Sequence, residues 1–193
     1  QHDVYRPMGL ARLRAALDGE GRLDGLEARV VGQSPTGSLT ARVLPALASD
    51  LMKDRTTAEG LFDMPYVIPN RSVRQVLTHE PVPVGYWRSV GYSHNAWMAE
   101  CFMDECAAAA GADPVAFRAG LLAQKPRHRR ALERAATQAG WDEPAPAGTG
   151  RGIALVESFG SIVAQVAEVR LDGEGGGRRP RVTRVVCAVD CGF

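Results

Sequence analysis

The sequence predicts an α+β fold, with antiparallel or mixed sheet elements at both ends of the chain and a helical insert at about residues 94–140. Three observations carry this: alternating apolar and polar runs before residue 80, helix-period apolar residues between Ser93 and Gly140, and long β-branched runs after residue 152. With 193 residues, 45% of them apolar, the chain can bury a core.

From Leu10 to Leu17 small apolar residues alternate with arginines, Asp18-Gly19-Glu20-Gly21 forms a turn, and Arg22 to Ser34, containing "LEARVVG", continues as a second strand. An antiparallel hairpin is expected. Pro35 to Thr57 mixes Pro, Gly, Ser and Thr around a candidate short helix at Ala46 to Met52. "MPYVIPN", Met64 to Asn70, is flanked by prolines and reads as an edge strand or a crossing segment. Ser72 to His79 is a third strand.

Ser93 or Asn95 can cap the next element, a helix whose one face carries Ala99, Phe102, Met103, Cys106 and Ala110. Gly111 ends it. Asp113-Pro114 opens a short second helix with Phe117 and Leu121 inward. "RHRRALERAATQAGW" is the third, with Leu132, Ala136 and Ala139 inward, arginines outward and Gly140 as its stop. Its basic face reads as solvated surface, with a phosphate or partner role as the alternative.

The Pro- and Gly-rich stretch at residues 141–152, "DEPAPAGTGRG" within it, has the composition of a linker. Ile153–Val156, Ile162–Leu171 and Val182–Val189 follow as strands, the last two apolar on both faces and so expected as a hairpin buried between layers. One fragment of a single domain is expected: strands over 1–83, a loop and helices over 84–140, the linker, and buried strands over 153–193. The non-methionine start and the apolar ending "VVCAVDCGF" suggest a piece of a longer polypeptide.

Lys and Arg total 23 against 22 Asp and Glu, a net charge of +1, which supplies no field for steering toward nucleic acid or anionic lipid. No run reaches the roughly 18 apolar residues of a membrane span. Cys101, Cys106, Cys187 and Cys191 make no small disulfide framework. The Cys101-x4-Cys106 spacing lacks the third cysteine of a plant-type iron–sulfur site, since Ala109 stands there, so no metal ligand is assigned. Serine-hydrolase, Walker and Rossmann motifs are absent, and "GEGGGRRP" is a hairpin loop.

The segment with the clearest chemistry is "GYWRSVG", Gly85 to Gly91, set directly against a helix start. Backbone N–H groups at such a junction form an anion-binding concavity, and Arg88 adds a fork of donors. Gly85 and Gly91 would let backbone approach a ligand closely, and Tyr86 and Trp87 would wall a flat one. The alternative is a plain strand-to-helix connection with core aromatics.

The run "WRSVGYSHNAWMAECFMDECAAAAGADPVAFRAGLL" resembles the molybdenum-binding large subunit of the xanthine oxidase family of molybdenum hydroxylases. "QHDVYRP", "RVVGQS", "DMPYVIPN", "KPRHRRALERAATQAGW", "GRGIALVESFGSIVAQVAEV" and "RVVCAVDCG" stand in the order those subunits show, covering nearly the whole chain. The resemblance implies an enzyme that hydroxylates an aromatic carbon next to nitrogen, or an aldehyde carbon, with oxygen from water. The cofactor it implies is molybdenum on a molybdopterin dinucleotide, with a [2Fe–2S] cluster in a separate small subunit as redox partner.

In that family the aromatic-Arg-x-x-Gly loop lies beside the metal, its N–H groups on an oxo group and its arginine orienting substrate or cofactor. Carried over, this makes Arg88 the catalytic candidate and Trp87, Ser89 and Gly91 cofactor-binding candidates, joined by His94 and, more weakly, Gln33. Val90 and Glu157 are substrate-pocket candidates. Purine-acting relatives place an aromatic ring where Val90 stands, so stacking on a planar substrate is lost here or supplied elsewhere. Asp190 reads as a strand-end carboxylate. The family's catalytic glutamate and two glycine-rich cofactor segments have no counterpart among these residues, so the fragment by itself is expected to be inactive. The rival reading is a stand-alone, non-catalytic domain that self-associates through an unpaired strand edge.

Overall fold

The hairpin at the start of the chain forms in the computed structural model, which describes residues 4–47, 54–173 and 177–192. Strands β1 (Gly9–Leu17) and β2 (Leu23–Gln33) pair antiparallel, with Leu10 opposite Val31 and Arg12 opposite Arg29. Alternation along β2 buries Leu26, Ala28 and Val30. Strand β3 (Asn70–Thr78) pairs with β2 in parallel, Val73 opposite Ala28, so this is a mixed sheet ordered β1-β2-β3.

A parallel neighbour demands a crossover, and residues 34–69 make it. Helix α1 (Pro35–Val43) begins there, capped by Ser34, whose Oγ accepts the Gly37 N–H at 2.8 Å. Two 3-10 turns follow, Pro45–Leu47 and Arg55–Ala58, the second packed on β2 and β3. Of the candidate helix at Ala46–Met52, Ala46 and Leu47 fall in the first turn and residues 48–52 lie outside the described residues. Of "MPYVIPN", residues 64–69 join no sheet, and Asn70 opens β3. Residues 64–69 are a crossing segment, because their prolines remove the donors that a ladder needs.

The chain divides into two compact units, Gln1–Met64 with Ile68–Cys106, and Pro65–Val67 with Ala107–Phe193. Helix α2 (Tyr92–Ala109) begins in the first, burying Ala99, Met103 and Cys106. Neither Ser93 nor Asn95 caps it. Both lie inside the helix, and the Asn95 side chain is fully buried, bonded to backbone carbonyls elsewhere in the unit.

In the second unit the caps are those the sequence predicts. Asp113 Oδ1 accepts the Val115 and Ala116 N–H groups, both at 2.9 Å, at the start of α3 (Pro114–Leu121), and Gly140, with φ of 66°, ends α4 (Pro126–Ala139). α4 lays Leu132, Ala135, Ala136 and Ala139 on an antiparallel sheet of β4 (Thr149–Ser158), β5 (Ser161–Asp172) and β6 (Arg179–Asp190). Burial of one such leucine contributes about 1.5–3 kcal/mol.

Two expectations need correction. β4 starts inside the predicted linker, because pairing of Thr149 with Arg170 and Gly152 with Ala167 overrides the weak strand tendency of glycine. The β5–β6 hairpin forms but is not buried between layers: Val182, Val185 and Val189 are 58%, 53% and 57% exposed. α4 covers the opposite face, where Ile162, Ala164, Val166 and Ala188 are buried. Among the described residues no helix is long and apolar enough to cross a membrane.

Candidate functional site

The loop leading into α2 is held at its stem by the first described residues. Tyr5 N–H donates to the Pro83 carbonyl at 3.1 Å and its own carbonyl accepts the Gly85 N–H at 2.9 Å. Tyr86 hydroxyl shares a 2.7 Å hydrogen bond with Thr36 Oγ1 of α1. Beyond this tether Trp87 is 61% exposed, and Arg88 is exposed too.

The loop then turns through two consecutive left-handed residues, Ser89 with φ of 74° and Val90 with φ of 49°. For a β-branched residue this is a genuine outlier, costing roughly 1–2 kcal/mol, and such strain persists only where the surroundings over-determine it. Three bonds fasten the turn: Val90 N–H to the Trp87 carbonyl at 2.9 Å, Tyr92 N–H to the Ser89 carbonyl at 3.0 Å, and Ser93 Oγ to the Val90 carbonyl at 2.8 Å. The result aims Arg88 outward beside the positive end of α2, an arrangement suited to an anionic or oxo-bearing group.

The two glycines do a different job from the one expected of them. A Cβ on Gly91 would collide with the Thr56 carbonyl oxygen, and one on Gly85 with the Val4 side chain. Both glycines therefore permit close packing within the unit rather than approach of a ligand.

Beneath the loop lies a polar layer that sequence reasoning missed. Asn95 Nδ2 donates to the Thr57 and Glu59 carbonyls at 2.8 and 2.9 Å. Tyr92 hydroxyl donates to Asp63 Oδ2, and Asp63 Oδ1 accepts the Gly60 N–H at 2.7 Å. Asp54 accepts from Ser34 Oγ at 2.5 Å, from Thr56 Oγ1 at 2.5 Å, and from the Thr36 and Thr56 N–H groups. Burial pushes its carboxyl up, but these donors outweigh burial and hold it below the usual carboxylate range. A polar residue in the first turn of a helix reads as a cap, so Asn95 was legible as polar but not as buried.

His94 sits half-buried against Gly9, where a Cβ would stand 2.9 Å from His94 Cδ2. Burial, with the Arg6 charge adding to it, pushes the imidazole pKa down and favours its neutral form. Gln33 is buried and donates from Nε2 to the Val82 carbonyl at 3.0 Å, so it supports the segment leading into the loop. Trp87, Arg88, Ser89, Val90, Gly91 and His94 thus share one loop and helix start, and Gln33 contacts the segment that leads into it.

Glu157 belongs to the second unit, where its Oε2 lies 2.7 Å from Nε2 of the buried His128. Asp190 receives Arg127 in two-pronged fashion, Nε to Oδ2 at 3.0 Å and Nη2 to Oδ1 at 2.7 Å, and also the Gly192 N–H at 2.9 Å. Among the described residues no group of three or more His, Cys, Asp or Glu side chains is placed to hold a metal ion. The exposed Arg88 guanidinium is a donor whose chemistry fits the oxygens of a molybdopterin.

No family model matches the chain. Over 132 residues, 67% of the chain, it is 27% identical to the membrane-bound aldehyde dehydrogenase (pyrroloquinoline-quinone) of Gluconacetobacter polyoxogenes, of which it covers 17%. Over 131 residues, 66% of the chain, it is 31% identical to isoquinoline 1-oxidoreductase subunit beta of Brevundimonas diminuta, of which it covers 16%. The chain therefore spans about one-sixth of the length of these relatives.

Its fold is that of part of quinoline 2-oxidoreductase from Pseudomonas putida, with a TM-score of 0.54 at 17% identity over 84% of this chain and 22% of that one. It is also that of part of the aldehyde oxidoreductase from Desulfovibrio desulfuricans, with a TM-score of 0.53 at 18% identity over 83% of this chain and 18% of that one. These relatives are named as oxidoreductases, and the chain is similar to a segment of each.

Proposed function

We propose that this chain is a central fragment of a molybdenum hydroxylase large subunit that oxidises an isoquinoline-like N-heterocyclic aromatic or an aldehyde. The observation that carries the reading is the Trp87–Gly91 loop, whose paired left-handed residues present Arg88 at the start of α2. When bound, the molybdopterin dinucleotide supplies the redox chemistry that delivers water-derived oxygen to the substrate carbon.

This chain's residues bind and orient. Arg88, with those loop N–H groups that the turn does not use, holds oxo or substrate oxygen, Trp87 walls the pocket, and Val90 leaves open the space an aromatic ring would fill. His94, in its neutral form, offers a donor or an acceptor without adding charge. Glu157 is kept as a pocket candidate on its place after an apolar strand and before a glycine turn alone, since His128 already engages it. The remainder of the large subunit and a [2Fe–2S] small subunit complete the assembly, and the fragment by itself does not turn over.

The test is molybdenum and pterin content of the complete subunit, purified with its partner, together with hydroxylation of isoquinoline and aromatic aldehydes, for wild type and Arg88→Ala. Retained molybdenum with activity lowered about 10²–10³-fold is expected for loss of one preorganised donor. A complete wild-type subunit without molybdenum would overturn the reading. The exposed edge strand β6 favours a second reading, self-association of a non-catalytic domain, which a monomer at every concentration on gel filtration would sink.

A further inference from the structure

We propose that the solvent face of the β1-β2-β3 sheet is a docking surface for a separate protein partner, one that presents carboxylates beside an apolar side chain.

Strand register fixes what this face carries. Leu10, Val31 and Val76 stand side by side across the three strands, Arg12, Arg29 and Arg74 form the next row, and Arg14, Glu27 and Ser72 the one after. The opposite face is the packed one, where Leu26, Ala28 and Val30 are buried and Gln75 Nε2 donates to the Asp54 carbonyl at 2.7 Å. On the outer face all four arginines are exposed, and Leu10 and Val76 are 72% and 59% exposed.

Three arginines abreast are unfavourable in a sheet left to itself. Directly opposed side chains stand about 4.5–5.5 Å apart, and like charges there repel. In these rows one carboxylate answers four guanidiniums: Glu27 Oε1 accepts from Arg29 Nε at 2.8 Å. That bond, joined by the charges of Arg29, Arg14 and Arg74, outweighs burial and holds the Glu27 carboxyl below the usual carboxylate range. Arg12, Arg14 and Arg74 make no hydrogen bond or ion pair among the described residues. A chain whose net charge is only +1 thus gathers an excess of positive charge on one sheet face, and incoming carboxylates would relieve the repulsion there.

The apolar row selects the occupant. Successive rows lie about 7 Å apart along the strands, so one extended polypeptide segment reaches both the apolar row and the arginines. A nucleic-acid backbone has nothing to cover Leu10 and Val76, and a lipid surface calls for large inserting side chains where two of this row are valines. Contacts made permanently inside one subunit are apolar and poor in charge at their centre, whereas arginine-rich, charge-steered faces serve partners that arrive from solution.

The test titrates a fluorescent peptide repeating Leu-Ser-Glu-Ser-Glu-Ser, whose leucines and glutamates share one face when extended, into the 193-residue chain and into the complete subunit. Arg12→Ser with Arg74→Ser should weaken binding about tenfold, with stability in urea unchanged or raised because the repulsion is gone. Leu10→Ser with Val76→Ser should weaken it by a smaller factor. Arg130→Ser with Arg134→Ser removes the same charge from α4 and should change nothing. No binding by wild type, no loss in the Arg12 and Arg74 variant, or an equal loss in the α4 variant would overturn the inference. Tighter binding of a single-stranded oligonucleotide or of phosphatidylserine vesicles would do the same. So would a complete subunit that refuses the peptide, since the rest of its own chain would then cover the face. Peptide binding needs no molybdenum, so the outcome is independent of the reaction proposed above.

Discussion

Asn95 reaches back from the first turn of α2 to the Thr57 and Glu59 carbonyls, donating to them at 2.8 and 2.9 Å from a side chain with no exposed surface. Its Oδ1 has no hydrogen-bond partner. The residue is therefore a one-sided clamp, present for its two donors.

Asn95→Ala should lower stability by about 2–4 kcal/mol, since two buried carbonyls lose their donor and each orphaned group costs about 1–3 kcal/mol. Asn95→Asp should be worse, because it aims an acceptor at those carbonyls. Urea denaturation of the 193-residue chain checks both, and a loss below 0.5 kcal/mol in Asn95→Ala, on the scale of an ordinary surface substitution, would refute the clamp.

Gly91→Ala should cost roughly 1–3 kcal/mol and displace the loop, because the new methyl meets the Thr56 carbonyl, which is backbone and cannot rotate away. Gly152→Ala provides the contrast. A Cβ there meets nothing within 4 Å, and its φ is not in the left-handed region, so stability should change by less than about 0.5 kcal/mol. Thermal melting of the two variants side by side reads the difference.

Asp190 should titrate far below an ordinary carboxylate. Its hydrogen bonds with Arg127, then with the Gly192 N–H, lower its pKa from 3.8 to about 2. A depressed folded-state pKa means that the unfolded chain binds more protons in this window. The contribution to stability is thus complete above about pH 4 and fades as pH falls through about 2. Carboxyl chemical shifts followed by NMR should show the low midpoint in wild type and a return toward 3.8 in Arg127→Ala. Identical midpoints would show that the ion pair does not form in solution.

What the sequence by itself determined was much of what depends on near neighbours. Alternation in "LEARVVG" marked β2, Asp113-Pro114 and Gly140 marked the helix ends, and the order of aromatic, arginine and glycine from Trp87 to Gly91 marked the loop and its family resemblance. These signals act within about four residues, so they survive reading along the chain.

Only the tertiary structure decided which distant segments meet. It set β3 parallel to β2 and brought Glu59 and Asn95 together beneath the loop. It gave Glu157 to His128 and Asp190 to Arg127. It also left β6 exposed where its valines read as buried, and turned Gly85 and Gly91 into packing glycines. The physical reason is common to all of these. A buried donor, a carboxylate or a bare Cα is defined by the partner that desolvates or crowds it, and that partner lies tens of residues away, where no local period or cap can point.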